Sequence, residues 1–116
     1  MTEVTRLLAA ENDYRDAATR PQGRDVTVGV VIPAYNRIDR LEATLAGLAH
    51  QTSPADTVVV ADDGSDPPLA DVVATWQDRL PITSVRRDDE GFGAGQARDL
   101  GAASCHTDVL LFVDSD

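Results

Sequence analysis

Short apolar runs rich in β-branched residues recur at 26–32, 57–61, 82–85 and 109–113, and the stretches between them switch to helical spacing. That alternation constrains the fold more than any single residue. Ile38, Leu41, Leu45 and Leu48 stand three or four apart and make one helix face. Leu69, Val72, Val73 and Trp76 predict a second helix, entered through Pro67-Pro68, where missing N–H groups cost little. Residues 93–103 read as a third helix, weakened by its glycines. Strands alternating with helices imply βαβ units with right-handed crossovers, hence an α/β chain built on a mainly parallel sheet with flanking helices. A continuous apolar run such as 57–61 is what a strand covered on both faces requires.

Ahead of this pattern, residues 1–25 are polar and charged, with Val4, Leu7 and Leu8 near helical spacing until Pro21-Gln22-Gly23 breaks it. They are expected to form an N-terminal extension, helical in part, before a domain spanning 26–116. A chain of 116 residues has room for one core. Its net charge of −10 argues against a nucleic-acid or anionic-membrane partner, since both need a basic surface. All ten basic residues are Arg, which excludes a P-loop and Schiff-base chemistry within this chain. Cys105 stands alone, so no internal disulfide forms. With no leader pattern and no run of membrane-spanning length, a cytoplasmic, soluble protein without an integral membrane segment is expected.

In open parallel α/β sheets, ligands sit outside the carboxyl ends of the strands. The distinctive segments all fall there: P-A-Y-N (33–36) after the first strand, D-D-G-S (62–65) after the second, and D-S-D (114–116) after the fourth. Asp62 and Asp63 either cap the next turn around Gly64 or present paired acceptors. Adjacent carboxylates repel, and a donor such as a nucleobase N–H would relieve one of them. Asp114 and Asp116 share a side if the segment stays extended. Either they form a solvated strand end, or one accepts from ribose hydroxyls while the other ligates Mg²⁺ or Mn²⁺ together with diphosphate oxygens. Such a cation neutralises charge on a departing diphosphate. Arg98 offers a donor fork to a phosphate, or a helix-surface ion pair. Its glycine-rich surroundings (91–98) depart from G-x-G-x-x-G and do not make a dinucleotide fingerprint. Tyr35 either stacks on a base or packs over the sheet edge. His50 and His106 lack metal-ligand spacing.

The order V-V-I-P-A-Y-N (30–36), H-Q-T (50–52), V-V-V-A-D-D-G-S-D (58–66), G-Q-A-R-D-L-G-A (95–102) and L-L-F-V-D-S-D (110–116) resembles family 2 glycosyltransferases of the GT-A fold, over about residues 26–116. The resemblance implies a Rossmann-like nucleotide-binding half for a nucleoside-diphosphate sugar, often UDP-linked, and inverting transfer to an acceptor it leaves unnamed. On the matching positions, Pro33 and Tyr35 would border the nucleoside and Asp62-Asp63 would contact the base. Arg98 would lie near the nucleotide, Asp114 would face the ribose, and Asp116 would hold the divalent metal, Mn or Mg. Arg37 stands where an acidic or small residue is common, and Asp99 replaces the usual Asn after the Arg. The family's acceptor half and its general base lie beyond the D-x-D, so the chain is expected to be a donor-binding part, truncated at that motif. No catalytic base is assigned within it, and it is expected not to transfer sugar on its own.

Two other readings use the same residues. In a haloacid-dehalogenase-like phosphatase, Asp114 would be the nucleophile and Asp116 the acid/base. Its motif normally opens a domain, whereas three βα units precede it here. A receiver-like binding module would use Asp62-Asp63 as an acidic pocket, but needs a Lys that this chain lacks.

Overall fold

The computed structural model describes residues 26–88, 91 and 93–115. The expected N-terminal helix within 1–25 lies outside the described residues, as does Asp116. Strands β1 (Val28–Ala34), β2 (Thr57–Asp62), β3 (Ile82–Arg86) and β4 (Val109–Phe112) form a four-stranded sheet in the order β3-β2-β1-β4. Every pairing is parallel, as the alternation of elements requires. Helices α1 (Ile38–Ala49), α2 (Ala70–Ala74) and α3 (Ala94–Ala103) make the crossovers.

The first strand runs two residues later than the apolar pattern suggests. Asp56 sets its start: the carboxylate accepts the Val28 amide at 2.7 Å, while the Asp56 amide donates to the Val28 carbonyl at 2.8 Å. At the other end, pairing with β2 continues through Pro33↔Ala61 and Ala34↔Asp62. Pro33 is tolerated because its backbone faces β4, where pairing stops at Val31↔Phe112, so its missing N–H costs no ladder bond. Thr27 and Asp108 pin the starts of β1 and β4. The Thr27 amide and hydroxyl donate to the Asp108 carboxylate at 3.0 and 3.1 Å, and these bonds hold that carboxyl below its ordinary range.

Burial divides the sheet's faces. Val30, Ile32, Val58 and Val60 pack with Leu41 and Leu45 of α1 and with Leu69, Val73 and Trp76 around α2. The second helix is shorter than its spacing predicts: regular structure ends at Ala74, and tight turns carry Trp76 and Leu80 into the same core. On the opposite face, α3 lies close enough to the sheet that a Cβ at Gly101 would stand 2.5 Å from Val31 Cγ1. The glycine is therefore a clearance requirement, and Ala97 beside Val31 and Ala61 is small for the same reason. The edge strand β4 leaves Val109, Leu111 and Phe112 exposed.

The order of strands fixes where a ligand would sit. The chain proceeds from β1 outward to β2 and β3, then crosses back to place β4 on the other side of β1. Beyond the carboxyl ends, the reversal between β1 and β4 leaves a crevice that no crossover fills.

Candidate functional site

At that crevice lies a cleft of about 580 Å³. Pro33 and Tyr35 from the β1 exit, Asp63 from the β2 exit, Arg98 from α3, and Asp114 with Ser115 from the β4 exit line it. Residues 81 positions apart in sequence thus share one cavity because four parallel strands end at one edge. Ala34, Arg37, Gly91 and Ala94 also line it.

The exits of β1 and β2 are laced together. Asn36 takes a left-handed conformation, φ 56°, which an Asn tolerates better than most residues. From there its amide donates to the Ser65 hydroxyl at 2.7 Å, and its side-chain oxygen accepts the Asp66 amide at 3.0 Å. Gly64, at φ 90°, makes the turn between Asp63 and Ser65. The Asn of P-A-Y-N and the Ser of D-D-G-S therefore hold the rim, and leave the cleft to their neighbours.

The two adjacent carboxylates have different fates. Asp62 is 2% exposed and lies behind the cleft. Its Oδ1 accepts the Ser65 amide at 2.8 Å; its Oδ2 accepts the Leu69 amide and Arg86 Nη1, each at 3.0 Å. Burial alone would raise this carboxyl, but the Leu69 amide, the Ser65 hydroxyl and amide, and the Arg86 charge outweigh it, and the group is held below its ordinary value. Of the two carboxylates expected to contact a base, Asp63 is the one that lines the cleft. There, Oδ1 accepts from Arg87 Nη1 and Oδ2 accepts the Gly93 amide at 3.1 Å. With two lone pairs on each oxygen, Asp63 retains acceptor capacity toward the cleft that it lines.

Sequence reasoning missed Arg86 and Arg87, which relieve the like-charge pair from within the chain. The signal was available: Asp-Asp closes one strand and Arg-Arg closes the next. In parallel register Asp62 stands beside Arg86, so Arg87 falls beside Asp63. Gly93 completes this arrangement, because a Cβ there would stand 1.7 Å from Arg87 Nη1.

At the cleft's far side, Arg98 Nη2 donates to Asp114 Oδ1 at 2.9 Å, an ion pair open to solvent with 38% and 62% of the two side chains exposed. Of the two alternatives for Arg98, the structure shows the helix-surface ion pair, and it forms on the cleft lining. Tyr35 is half exposed on the rim. His50 caps α1, its Nδ1 donating to the Ala46 carbonyl at 2.7 Å. Among the described residues no three His, Cys, Asp or Glu side chains gather as a metal cluster. Asp116, the expected metal ligand, lies outside them. No helix among the described residues is long and apolar enough to cross a membrane.

Comparison with known proteins converges on one family. The family model for Glycosyl transferase family 2 matches residues 29–116. The validoxylamine A glucosyltransferase of Streptomyces hygroscopicus subsp. jinggangensis is 42% identical over 90 residues, covering 76% of this chain and 21% of that protein. The chondroitin synthase of Pasteurella multocida (strain Pm70) is 33% identical over 107 residues, covering 91% of this chain and 11% of its relative. The chain therefore spans about a fifth or less of the length of these two relatives. Among solved structures, S. aureus TarS 1-349 in complex with UDP superposes with a TM-score of 0.71 at 28% identity, covering 78% of this chain and 27% of that one.

Proposed function

The chain belongs to glycosyl transferase family 2, and from that premise we propose that its cleft binds the nucleoside diphosphate of a UDP-linked sugar for inverting transfer to an acceptor. The observation that carries this reading is the convergence of Pro33, Tyr35, Asp63, Arg98 and Asp114 on one crevice at the switch point of the sheet. The similarity to a structure solved with UDP supports it. Pro33 and Tyr35 border the base, Asp63 accepts its N–H, and Asp114 accepts from the ribose. Asp62 shapes the β2 exit without touching the ligand.

Arg98 supplies a donor fork toward the diphosphate. A divalent cation, Mn²⁺ or Mg²⁺, suits this end of the cleft. Such ions are held by one or two carboxylates plus substrate phosphate oxygens, and Asp114 presents one carboxylate at the mouth. Asp116 would hold the ion, with diphosphate oxygens completing its shell, and the bound ion would neutralise charge on the departing diphosphate. Inverting transfer also needs a base for the acceptor hydroxyl, for which these cleft residues offer no candidate. Neither the phosphatase nor the receiver reading gains an observation: Asp114 is engaged by Arg98, and Asp62 and Asp63 by Arg86 and Arg87.

The test is calorimetric titration of the chain with UDP, GDP and dTDP, with and without Mn²⁺. UDP is expected to bind best, to need the metal for full affinity, and to lose that metal dependence in Asp116→Ala. A folded chain that binds none of the three nucleotides overturns the reading.

A further inference from the structure

Asp63 does not stand in the cleft by itself. The side chain is only 9% exposed, and beside it the Arg87 side chain is 14% exposed, so their contact is formed largely out of water. Arg87 is absent from the cleft lining and backs Asp63 from behind. The Gly93 amide fixes the second carboxylate oxygen at 3.1 Å. A carboxylate held at both oxygens by donors on two different segments has its rotation about the last side-chain bond set before any ligand arrives. Its remaining lone pairs then point in defined directions.

We infer that Arg87 and Gly93 act as a positioning pair that makes Asp63 an oriented acceptor, and that this pair sets the cleft's preference for a base carrying an imide N–H. The inference rests on the nucleotide-binding reading above. Uracil presents N3–H at the edge Asp63 would face, a donor matched to an ionised carboxylate. Cytosine presents a bare lone pair at the same atom, so a carboxylate fixed opposite N3 is repelled there and would have to turn to reach the exocyclic amino group. A site built to hydrogen-bond one partner rejects the analogue lacking the donor because its own buried group is left unpaired.

Neither positioning residue is interchangeable with its near neighbours in size. Without the Arg87 guanidinium, Asp63 would be a buried carboxylate beside a second one, Asp62, and free to turn from the base edge. At Gly93 even one methyl displaces the guanidinium, since its Cβ would stand 1.7 Å from Arg87 Nη1 and 2.5 Å from Cζ. Gly93→Ala therefore breaks the Arg87–Asp63 contact while leaving every charge in place. Arg87→Met removes the charge while keeping the packed stem.

The experiment compares UDP with CDP binding, by calorimetry in the presence of Mn²⁺, for the full chain and for Arg87→Met, Arg87→Lys and Gly93→Ala. Thermal melts establish that each variant is folded. The unsubstituted chain is expected to prefer UDP by roughly a hundredfold. Arg87→Met and Gly93→Ala should each weaken UDP roughly tenfold while moving CDP less than about twofold. Arg87→Lys, a point charge without the fork, should recover part of the preference. A damaged cleft would weaken both nucleotides together, so the UDP-to-CDP ratio separates positioning from a merely structural role. An unsubstituted chain that binds UDP and CDP equally would defeat the placement of Asp63 at the base, and with it the reading on which the inference rests. A chain that discriminates, with Arg87→Met and Gly93→Ala discriminating equally well, would overturn the positioning role alone.

Discussion

The exits of β2 and β4 both deliver acidic residues to one edge of one sheet, yet they are built in opposite ways. At the β2 exit, Asp62 and Asp63 are nearly closed off from solvent, and each carboxylate is paired with its own arginine and with backbone amides. The turn is further tied to the β1 exit through Asn36 and Ser65. At the β4 exit, Asp114 is mostly exposed and meets one arginine in a direct, solvent-exposed contact, next to an edge strand whose own Leu111 and Phe112 are half exposed. The first exit is fixed by the fold. The second offers a charge that solvent already satisfies and that a ligand can engage at little cost. Sites that must read a base benefit from fixed acceptors, whereas a group that takes up a cation and its phosphates must exchange partners.

The strongest way to break this comparison is to remove the hub of the β2 exit. Asp62→Ala leaves the Leu69 and Ser65 amides without their acceptor and Arg86 without its partner. It should destabilise the chain by about 3 kcal/mol in urea unfolding, the low end for a broken buried pair because Arg86 is partly solvated. A loss below about 0.5 kcal/mol would show that the β2 exit is no more rigid than its counterpart.

A smaller effect sharpens the same contrast through pH. Asp62 has a folded-state pKa held below its ordinary value of 3.8, so it binds protons less readily folded than unfolded. Its contribution is present above that value and disappears as pH falls through the folded pKa. Unfolding followed from pH 5 downward should therefore show a steeper loss below about pH 4 in the parent chain than in Asp62→Asn. Asp108, held low by Thr27, leaves part of the acid limb in that variant.

The smallest stability change belongs to the β4 exit. Asp114→Ala should alter stability by less than about 0.5 kcal/mol, as is usual for an exposed ion pair. It should nevertheless weaken UDP binding in the presence of Mn²⁺. Large destabilisation with unchanged binding would reverse the roles assigned to the two exits.

Much of the sheet was legible because its causes are local. Apolar runs and helical spacing carry the order of elements, and the motifs at 33–36, 62–65 and 114–116 fall at strand ends on that pattern alone. Boundaries shifted where distant groups intervened: Asp56 and the β2 ladder moved β1 by two residues, and the turns after Ala74 shortened α2. Gly101, visible only as a weak point in a helix, proved to be where that helix meets Val31.

The sequence alone determined that this chain makes parallel βαβ units and that the segments 33–36, 62–65 and 114–116 leave strands at the carboxyl edge, because hydrophobic periodicity and strand exits are properties of neighbouring residues. Tertiary structure alone decided which of two adjacent aspartates faces the cleft. That choice depends on the register that sets Asp62 beside Arg86 and on the clearance that Gly93 leaves for Arg87. Each is a contact between segments far apart in sequence, and alternating side chains turn a one-residue difference into opposite faces.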